Sequence, residues 1–193
     1  MPKKIYLGVV GQIACGKGVL VDHLKEKLGF ISFSLSSILH DDLRKKGINE
    51  FNRKTLQDMG DSLRHRFGSA VLAKRAIKIL SKQKHDRIII EGIRNPGEIE
   101  YLKKMPNFFL IGVKAKRELR FKRLLGRAKA WDPKTWSDFL IVDRRDLGVG
   151  QEKLGQQVGR CLRYCDFVLT NNKDIKDFQR KISLLLMKIH RFI

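Results

Sequence analysis

The chain has 193 residues, of which 42% are hydrophobic, so it is long and apolar enough to bury one complete core. No Pro-, Gly- or Ser-rich linker divides it, no apolar run is long enough to span a bilayer, and the N-terminal residues lack a signal-peptide pattern. We therefore expect one cytoplasmic domain over residues 1–193, monomeric or homodimeric, with no membrane partner. The formal charge of +21 exceeds what a small anionic substrate needs, and it keeps nucleic acid among the candidate partners.

The predicted elements alternate between strands and helices along the chain. Apolar, β-branched runs predict buried strands at residues 5–10, 30–33, 87–91, 108–113 and 167–170. Apolar residues at helical spacing predict helices that begin near Lys17, after Ser34 or Ser36, at Asn52, after Gly68 and near Ile175. Strands separated by helices indicate a parallel sheet covered on both faces, with a ligand beyond the carboxyl ends of the strands.

A glycine-rich loop lies between the first strand and the first helix. Residues 11–18 read Gly-Gln-Ile-Ala-Cys-Gly-Lys-Gly, and the glycines let successive backbone N–H groups turn toward one anion. The positive end of the helix and the ammonium group of Lys17 suit the phosphates of ATP, whereas a turn that binds nothing, the alternative interpretation, would not need the lysine. The predicted nucleotide-binding residues are Gly11, Ala14, Cys15, Gly16, Lys17, Gly18 and Val19. Gly18 and Val19 stand where Ser or Thr is usual, so this loop has no hydroxyl to offer Mg²⁺ directly.

Three further motifs extend this pattern along the chain. They are Glu91-Gly92-Ile93-Arg94 after the third strand, Arg123-Leu124-Leu125-Gly126-Arg127 after the fourth, and Asp143-Arg144-Arg145-Asp146 beyond it. With the loop ending Gly-Lys-Gly, they resemble the nucleoside monophosphate kinase family, whose relatives include adenylate kinase and dephospho-coenzyme A kinase. The resemblance covers nearly the whole chain and implies an α/β P-loop NTPase fold of three layers. Such a fold has a five-stranded parallel sheet with helices on both faces, a monophosphate-binding arm over about residues 34–82 and a helical lid over about residues 117–150.

The same resemblance implies roles for individual residues, with ATP and Mg²⁺ as cofactors. Lys17 would hold the donor phosphates and Arg94 the acceptor phosphate, while lid arginines would arrive on closure. The implied catalytic residues are Lys17, Arg94, Arg123, Arg127 and Arg144. Glu91 is the metal candidate: it either holds the water shell of Mg²⁺ or pairs with a basic neighbour.

The presence or absence of a general base narrows the class of acceptor. A hydroxyl acceptor must lose a proton to a base, whereas a phosphate acceptor is already an oxyanion. Dephospho-coenzyme A kinases place an aspartate after the second strand, where this chain has Ser34-Leu35-Ser36-Ser37, so a phosphate acceptor is favoured. The arginine that adenylate kinases carry in the next helix aligns with His40, and Arg44 follows one turn later. The predicted acceptor-binding residues are Ser34, Arg44, Gln57, Arg64, Gly92 and Arg94.

The helix predicted from Asn52 to Phe67 would form the monophosphate-binding arm. Its apolar stripe consists of Leu56, Met59, Leu63 and Phe67. Gln57 and Arg64 are expected on the opposite face, where they would reach the acceptor.

The sequence thus predicts a phosphotransferase that moves the γ-phosphate of ATP to a small phosphate acceptor, foremost a ribo- or deoxynucleoside monophosphate. Dephospho-coenzyme A or another phosphomonoester, such as an isoprenoid phosphate, is the nearest alternative. A second alternative is a nucleic-acid-associated ATPase that uses the fold as a switch, although no basic stripe interleaved with aromatic residues stands out in the sequence. A third is a degenerate member that binds nucleotide but transfers phosphate poorly.

The cysteines do not indicate a metal site. Cys161 and Cys165 lie one turn apart on a predicted helix, and neither a second pair nor a nearby histidine completes a zinc ligand set. With Cys15 in the glycine-rich loop, we expect three reduced thiols, two of them in the core.

Overall fold

A computed structural model describes residues 4–50, 52–128 and 132–189. Its strands are β1 (Ile5–Gly11), β2 (Ile31–Ser34), β3 (Arg87–Glu91), β4 (Phe108–Lys114) and β5 (Phe167–Thr170). They form one sheet in the order β2-β3-β1-β4-β5, and every neighbouring pair is parallel. The predicted five-stranded parallel sheet is therefore confirmed. Every residue of β1 is buried, because this strand lies at the centre of the sheet and carries the glycine-rich loop at its end.

Helices connect the strands and cover the sheet. They are α1 (Lys17–Leu28), α2 (Leu35–Lys45), α3 (Arg53–Phe67), α4 (Val71–Leu80), α5 (Pro96–Leu102), α6 (Arg117–Arg127), α7 (Trp136–Leu147), α8 (Val158–Cys161) and α9 (Ile175–Ile189). As predicted, Asn52 caps α3, since its side chain accepts a hydrogen bond from the Thr55 amide at 2.9 Å. None of the helices in the described part of the chain is long and apolar enough to cross a membrane.

Two apolar cores lie on opposite faces of the sheet. One joins the sheet to α1 and α9 through residues such as Leu24 and Phe178, and the other joins it to α2, α4, α5 and α8. Strand β3 serves both, because Ile88 and Ile90 belong to one core and Ile89 to the other. The result is the predicted three-layer arrangement.

Helices α6 and α7 form a hairpin within the predicted lid range. Leu124 of α6 and Phe139 of α7 enclose Ile13 of the glycine-rich loop in a third apolar cluster. The ring of Phe121 contacts Trp136 edge-to-face and Phe139 at a tilt, with centroids 5.2 and 5.3 Å apart. The hairpin is thereby packed directly on the loop that follows β1.

The orientation of α3 differs from the prediction. Gln57 and Arg64, expected opposite the apolar stripe and toward the acceptor, are 6% and 1% exposed, whereas Phe67 of the predicted apolar stripe is 48% exposed. The reason is that α3 packs on α2 and α4 with one side and contacts Leu154 and Gln156, beyond α7, with its polar side. A helix between two partners buries polar as well as apolar residues, and here the buried polar face lines a cavity.

The cysteines match the expectation of free thiols. Cys15 and Cys161 are buried, Cys165 is half-buried, and all three are unpaired with one another. Burial raises the pKa of Cys165 to about 12, so this thiol stays protonated at neutral pH.

Candidate active site

The loop between β1 and α1 holds a tight conformation that glycine makes accessible. Gly16 has a φ of 107°, a left-handed value that other residues rarely adopt, and a Cβ there would collide with the amide of Asn171. A Cβ on Gly11 would collide with the carbonyl oxygen of Val113. Because α1 begins directly after this turn, its first N–H groups and its positive dipole end face the space above the loop. This arrangement is suited to an anion.

Lys17 supplies the cation of the loop. Its Nζ donates hydrogen bonds to the carbonyl oxygens of Gly11 at 2.6 Å and Gln12 at 2.8 Å, and it lies 3.8 Å from Sγ of Cys15. Burial lowers the pKa of Lys17, and the guanidinium of Arg94 lowers it further. A phosphate in the loop would oppose both effects, since it stabilises the charged lysine.

A cavity of about 710 Å³ opens over this loop, and we call it the donor cavity. Its walls contain residues 14–19, Glu91 at the end of β3, and Arg123 and Arg127 of α6. The structure therefore brings together the predicted loop, the metal candidate and two of the predicted lid arginines. Gly11 is not part of the cavity wall, but its carbonyl oxygen accepts a hydrogen bond from Lys17 and so helps to position that side chain.

Glu91 offers a carboxylate to the donor cavity. Its Oε1 accepts a hydrogen bond from Oγ of Ser32 at 3.0 Å. The other acidic residue in the wall, Asp174, caps α9 by accepting from the Asp177 amide at 2.8 Å. Within the described residues there is no cluster of three His, Cys, Asp or Glu side chains that would hold a metal ion by itself. A single carboxylate beside a phosphate site nevertheless fits Mg²⁺, which usually keeps several waters and takes its other ligands from phosphates.

The two arginines of α6 are fixed by different partners. Arg123 donates to the backbone and side-chain oxygens of Asn171 at 3.1 and 3.2 Å, and Asn171 donates in turn to the Cys15 carbonyl at 3.0 Å. Arg127 makes a bidentate pair with Asp132 at 2.6 and 2.9 Å. Both guanidinium groups are thus held at the rim of the donor cavity.

A second cavity of about 310 Å³, which we call the acceptor cavity, lies beside the first. Its walls are Ser36, Leu39, His40, Arg53, Leu56, Gln57, Gly60, Arg64, Leu72, Gly92, Arg94 and Gln156. Glu91 lines the donor cavity and the next residue, Gly92, lines the acceptor cavity, so both cavities reach the carboxyl end of β3. This is the edge of the sheet at which the strand order predicts ligands.

Two guanidinium groups face the acceptor cavity from different elements. Arg94 follows β3 and pairs with Asp146 of α7. Arg53 begins α3 and donates from Nη2 to Asp132 at 2.9 Å, while its buried Nε has no partner among the described residues. Burial lowers the pKa of Arg53, and the charge of Arg94 lowers it further, because the two cations lie close together. A bound anion would relieve this repulsion.

Arg64 lines the same cavity but is fully engaged by protein atoms. Its guanidinium donates to the Leu154 carbonyl at 2.7 Å, to Glu98 at 3.3 Å and to Asp61. Beside it, Nε2 of Gln57 donates to Oε1 of Gln156 at 3.2 Å. The predicted residues Gln57 and Arg64 are therefore brought to the cavity, with Arg64 as part of its fixed wall.

Besides Gly11, three predicted site residues lie outside both cavity walls. Ser34 holds the position before α2, and its hydroxyl lies 2.9 Å from that of Ser36 rather than in a cavity wall. Arg44 is exposed and pairs with Asp41 at 3.7 Å. Arg144 is an exposed residue of α7, one position before the half-buried Arg145. The part of α2 that lines the acceptor cavity lies one to two turns before Arg44 and includes His40.

His40 is the titratable group on the α2 side of the acceptor cavity. Burial lowers its pKa, and the charge of Arg44 lowers it further. Both effects favour the neutral imidazole.

Sequence reasoning missed the residues that hold the site together. Asp132 joins Arg53 to Arg127, and therefore one arginine of each cavity. Asp143 is fully buried and accepts from Arg120 at 2.6 and 3.0 Å. The spacing of Asp143 and Asp146, three positions apart, was a signal for two carboxylates on one helical face, but nothing local identified their distant partners.

The predicted lid is also tied to the predicted arm in this conformation. Arg145 donates to Asp58 at 2.6 Å and to Asp61 at 2.9 Å. These bonds join α7 to α3.

The sheet order, the phosphate loop and the flanking helices define a protein with the P-loop kinase fold. Comparison with solved structures supports this class. The chain superposes on shikimate kinase from Acinetobacter baumannii in complex with shikimate with a TM-score of 0.58 and 16% identity, covering 97% of this chain and 95% of that one. Dephospho-CoA kinase from Campylobacter jejuni gives a TM-score of 0.54 and 19% identity, with coverage of 95% and 96%.

The chain belongs to the UPF0200 protein family. It is 30% identical over 183 residues to the UPF0200 protein of Sulfurisphaera tokodaii, covering 95% of this chain and 96% of that protein. The UPF0200 protein of Methanothermobacter thermautotrophicus is 29% identical over 189 residues, which cover 96% and 90% of the two chains. No protein-family model matches the chain.

Proposed function

We propose that this protein is an ATP-dependent phosphotransferase that moves the γ-phosphate of ATP to a phosphate acceptor, foremost a ribo- or deoxynucleoside monophosphate. The observation that carries the proposal is that two cation-lined cavities both reach the end of β3, where adjacent residues, Glu91 and Gly92, line one cavity each. A phosphoryl donor and acceptor need this proximity, because in-line transfer requires their reacting oxygens to be held together.

The donor cavity supplies the groups that ATP requires. The amides of the loop and the ammonium of Lys17 would bind the terminal phosphates, and Arg123 and Arg127 would neutralise charge at the cavity rim. Glu91 would hold Mg²⁺ through its water shell, since Gly18 and Val19 provide no hydroxyl. Bound Mg²⁺ would neutralise part of the phosphate charge.

The acceptor cavity combines cations with an apolar wall. Arg53 and Arg94 would bind the acceptor phosphate, and leucines such as Leu56 and Leu72 would contact its organic part. None of the described residues in this wall is an aspartate or glutamate, which supports an acceptor that needs no carboxylate base. Among the described residues of this wall, His40 is the one suited to take a proton from a hydroxyl. Its substitution therefore distinguishes a hydroxyl acceptor from a phosphate acceptor.

The transfer would be promoted by positioned charge rather than by covalent catalysis. An oxygen of the acceptor phosphate attacks the γ-phosphorus, the bond to the bridging oxygen breaks, and ADP leaves. Lys17 and Arg94 would stabilise the negative charge that spreads over the equatorial oxygens in the transition state.

A coupled assay of ADP formation from Mg·ATP tests this function. Ribo- and deoxynucleoside monophosphates, dephospho-coenzyme A, shikimate and an isoprenoid phosphate serve as acceptors. We expect turnover with a monophosphate, and a loss of at least about a hundredfold in Lys17→Ala through removal of a transition-state contact. Lys188→Ala, an exposed lysine of α9, is the matched control and should retain full activity.

The His40→Asn variant separates the acceptor classes. Transfer to a phosphate should survive this change, because no proton has to be removed. If only a hydroxyl acceptor supports turnover, and His40→Asn abolishes that turnover, the acceptor is an alcohol and the monophosphate assignment is wrong. ATP hydrolysis unaffected by Lys17→Ala would contradict the donor site itself.

A further inference from the structure

Much of the positive charge lies outside the two cavities. Between Asp61 and Asp86 the chain has seven lysines and arginines and no acidic residue. This segment contains the end of α3 and all of α4, and Lys74 and Lys78 are exposed one turn apart on α4. Apart from Arg64, none of these cations lines a cavity of the proposed phosphotransferase.

The tertiary structure places aromatic rings among these cations. The guanidinium carbons of Arg66 and Arg75 lie 5.1 and 5.5 Å from the centroid of the Phe67 ring. Lys74, which precedes Arg75 on α4, has its Nζ 6.0 Å from the centroid of the Tyr101 ring on α5. Because these aromatic residues come from different elements, the interleaving is visible only in the fold.

The surface formed by Arg66, Phe67, Lys74, Arg75, Lys78 and Tyr101 is here called the aromatic-basic ridge. Its central ring, Phe67, remains 48% exposed beside its two guanidinium neighbours. Asp42 of α2 pairs with Arg75 at 2.7 Å and holds that guanidinium near the ring. The ridge therefore presents an exposed ring, guanidinium groups held beside it and two exposed lysines.

We propose that the aromatic-basic ridge binds single-stranded nucleic acid. Bases would stack on the ring of Phe67 and on the adjacent guanidinium planes, while Lys74 and Lys78 would neutralise backbone phosphates. An unpaired strand fits better than a duplex, since the faces of paired bases are already stacked on one another. An apolar protein partner fits less well, because it would have to desolvate the cations around the ring.

Fluorescence anisotropy with a labelled oligouridine RNA of about 15 nucleotides tests the ridge over a salt range of about 50 to 300 mM. A DNA strand of the same length, the corresponding RNA duplex and heparin form separate arms. Phe67→Ala should weaken binding of the single strands about tenfold by removing a stacking platform. Lys78→Ala should reduce the slope of log affinity against log salt by about one.

The matched controls lie on α9, which packs on the opposite face of the sheet. Met187→Ala removes an apolar side chain that is 61% exposed, and Lys188→Ala removes an exposed lysine. Both should leave affinity and salt slope unchanged. Phe67→Leu keeps apolar volume without a π-face, so it must also weaken binding, and thermal unfolding verifies that each variant is folded.

Three results would overturn the proposal. One is the absence of salt-sensitive binding to either single strand. Another is unchanged affinity in folded Phe67→Ala and Phe67→Leu, which would reduce the interaction to net charge. The third is that heparin or the duplex binds as tightly as the single strands, while Lys188→Ala and Lys78→Ala change the salt slope to the same extent.

Discussion

Arg53 gives the sharpest test of the acceptor cavity, because its removal changes the site without exposing the fold to an unpaired charge. The residue donates one hydrogen bond to Asp132, and that carboxylate keeps two bonds from Arg127 at 2.6 and 2.9 Å. Nε of Arg53 is buried without a partner, which offsets part of what the ion pair contributes. We expect Arg53→Ala to lower the free energy of unfolding by only about 1 kcal/mol, because one hydrogen bond is lost, one unpaired N–H is removed with it, and Asp132 keeps Arg127.

The effect on acceptor binding should be much larger. A hydrogen bond to a charged group contributes about 1.5–3 kcal/mol, which corresponds to roughly a ten- to hundredfold change in an equilibrium constant. The KM for the acceptor should therefore rise by that factor, whereas the KM for ATP should change little because Arg53 does not line the donor cavity. Arg53→Lys keeps the charge but not the planar guanidinium, so its acceptor KM should lie between those of the wild-type protein and Arg53→Ala.

Steady-state kinetics at saturating ATP, with the acceptor varied, measure this difference. Arg44→Ala is the matched control, since Arg44 is an exposed arginine of the same predicted arm that lies outside the cavity. An unchanged acceptor KM in Arg53→Ala would refute the assignment, and so would an equal rise in Arg44→Ala. Urea unfolding of all three variants separates a binding effect from loss of the fold.

Removing Arg94 should cost stability as well as activity. Asp146 is 3% exposed and would lose its guanidinium, so Arg94→Ala should lower the free energy of unfolding by about 3–5 kcal/mol, and a second change, Asp146→Asn, should recover most of it in urea titrations. Glu91→Gln should raise the Mg²⁺ concentration needed for half-maximal turnover; an unchanged metal titration would mean that Glu91 serves only to accept from Ser32. Burial lowers the pKa of Lys17 and a bound phosphate raises it again, so ATP binding should take up protons and weaken as pH rises through the lowered pKa of the free protein. Calorimetry in buffers of different ionisation enthalpy measures this proton uptake. The absence of proton uptake at every alkaline pH would contradict the prediction.

The fold was predictable because its signals are local. Runs such as Ile88, Ile89 and Ile90 are strands on both propensity and burial, and their separation by helices leaves few topologies other than a parallel sheet. The loop around Gly16 and Lys17 was likewise legible, because a left-handed turn before a helix is encoded by residues that are adjacent in the chain.

The orientation of α3 was not predictable from its own periodicity. A stripe of apolar residues is interpreted as the buried face of a helix with one partner, and α3 has partners on two sides. Phe67 was therefore expected inside and is 48% exposed, while Arg64, expected opposite the stripe and toward the acceptor, is buried in the wall of the acceptor cavity. The packing of α3 thus forms part of that wall and leaves Phe67 at the centre of the aromatic-basic ridge.

The sequence by itself determined the P-loop kinase fold, the order of its elements and the glycine-rich loop with Lys17, because each depends on backbone preferences within a few residues. Only the tertiary structure decided which arginines reach the cavities. Arg53 is placed by Asp132, 79 residues away, and Arg94 by Asp146, 52 residues away. Arg44 and Arg144 look equivalent in sequence but lie outside the cavities, because the position of a long charged side chain is set by the carboxylates and carbonyls that the fold brings to it.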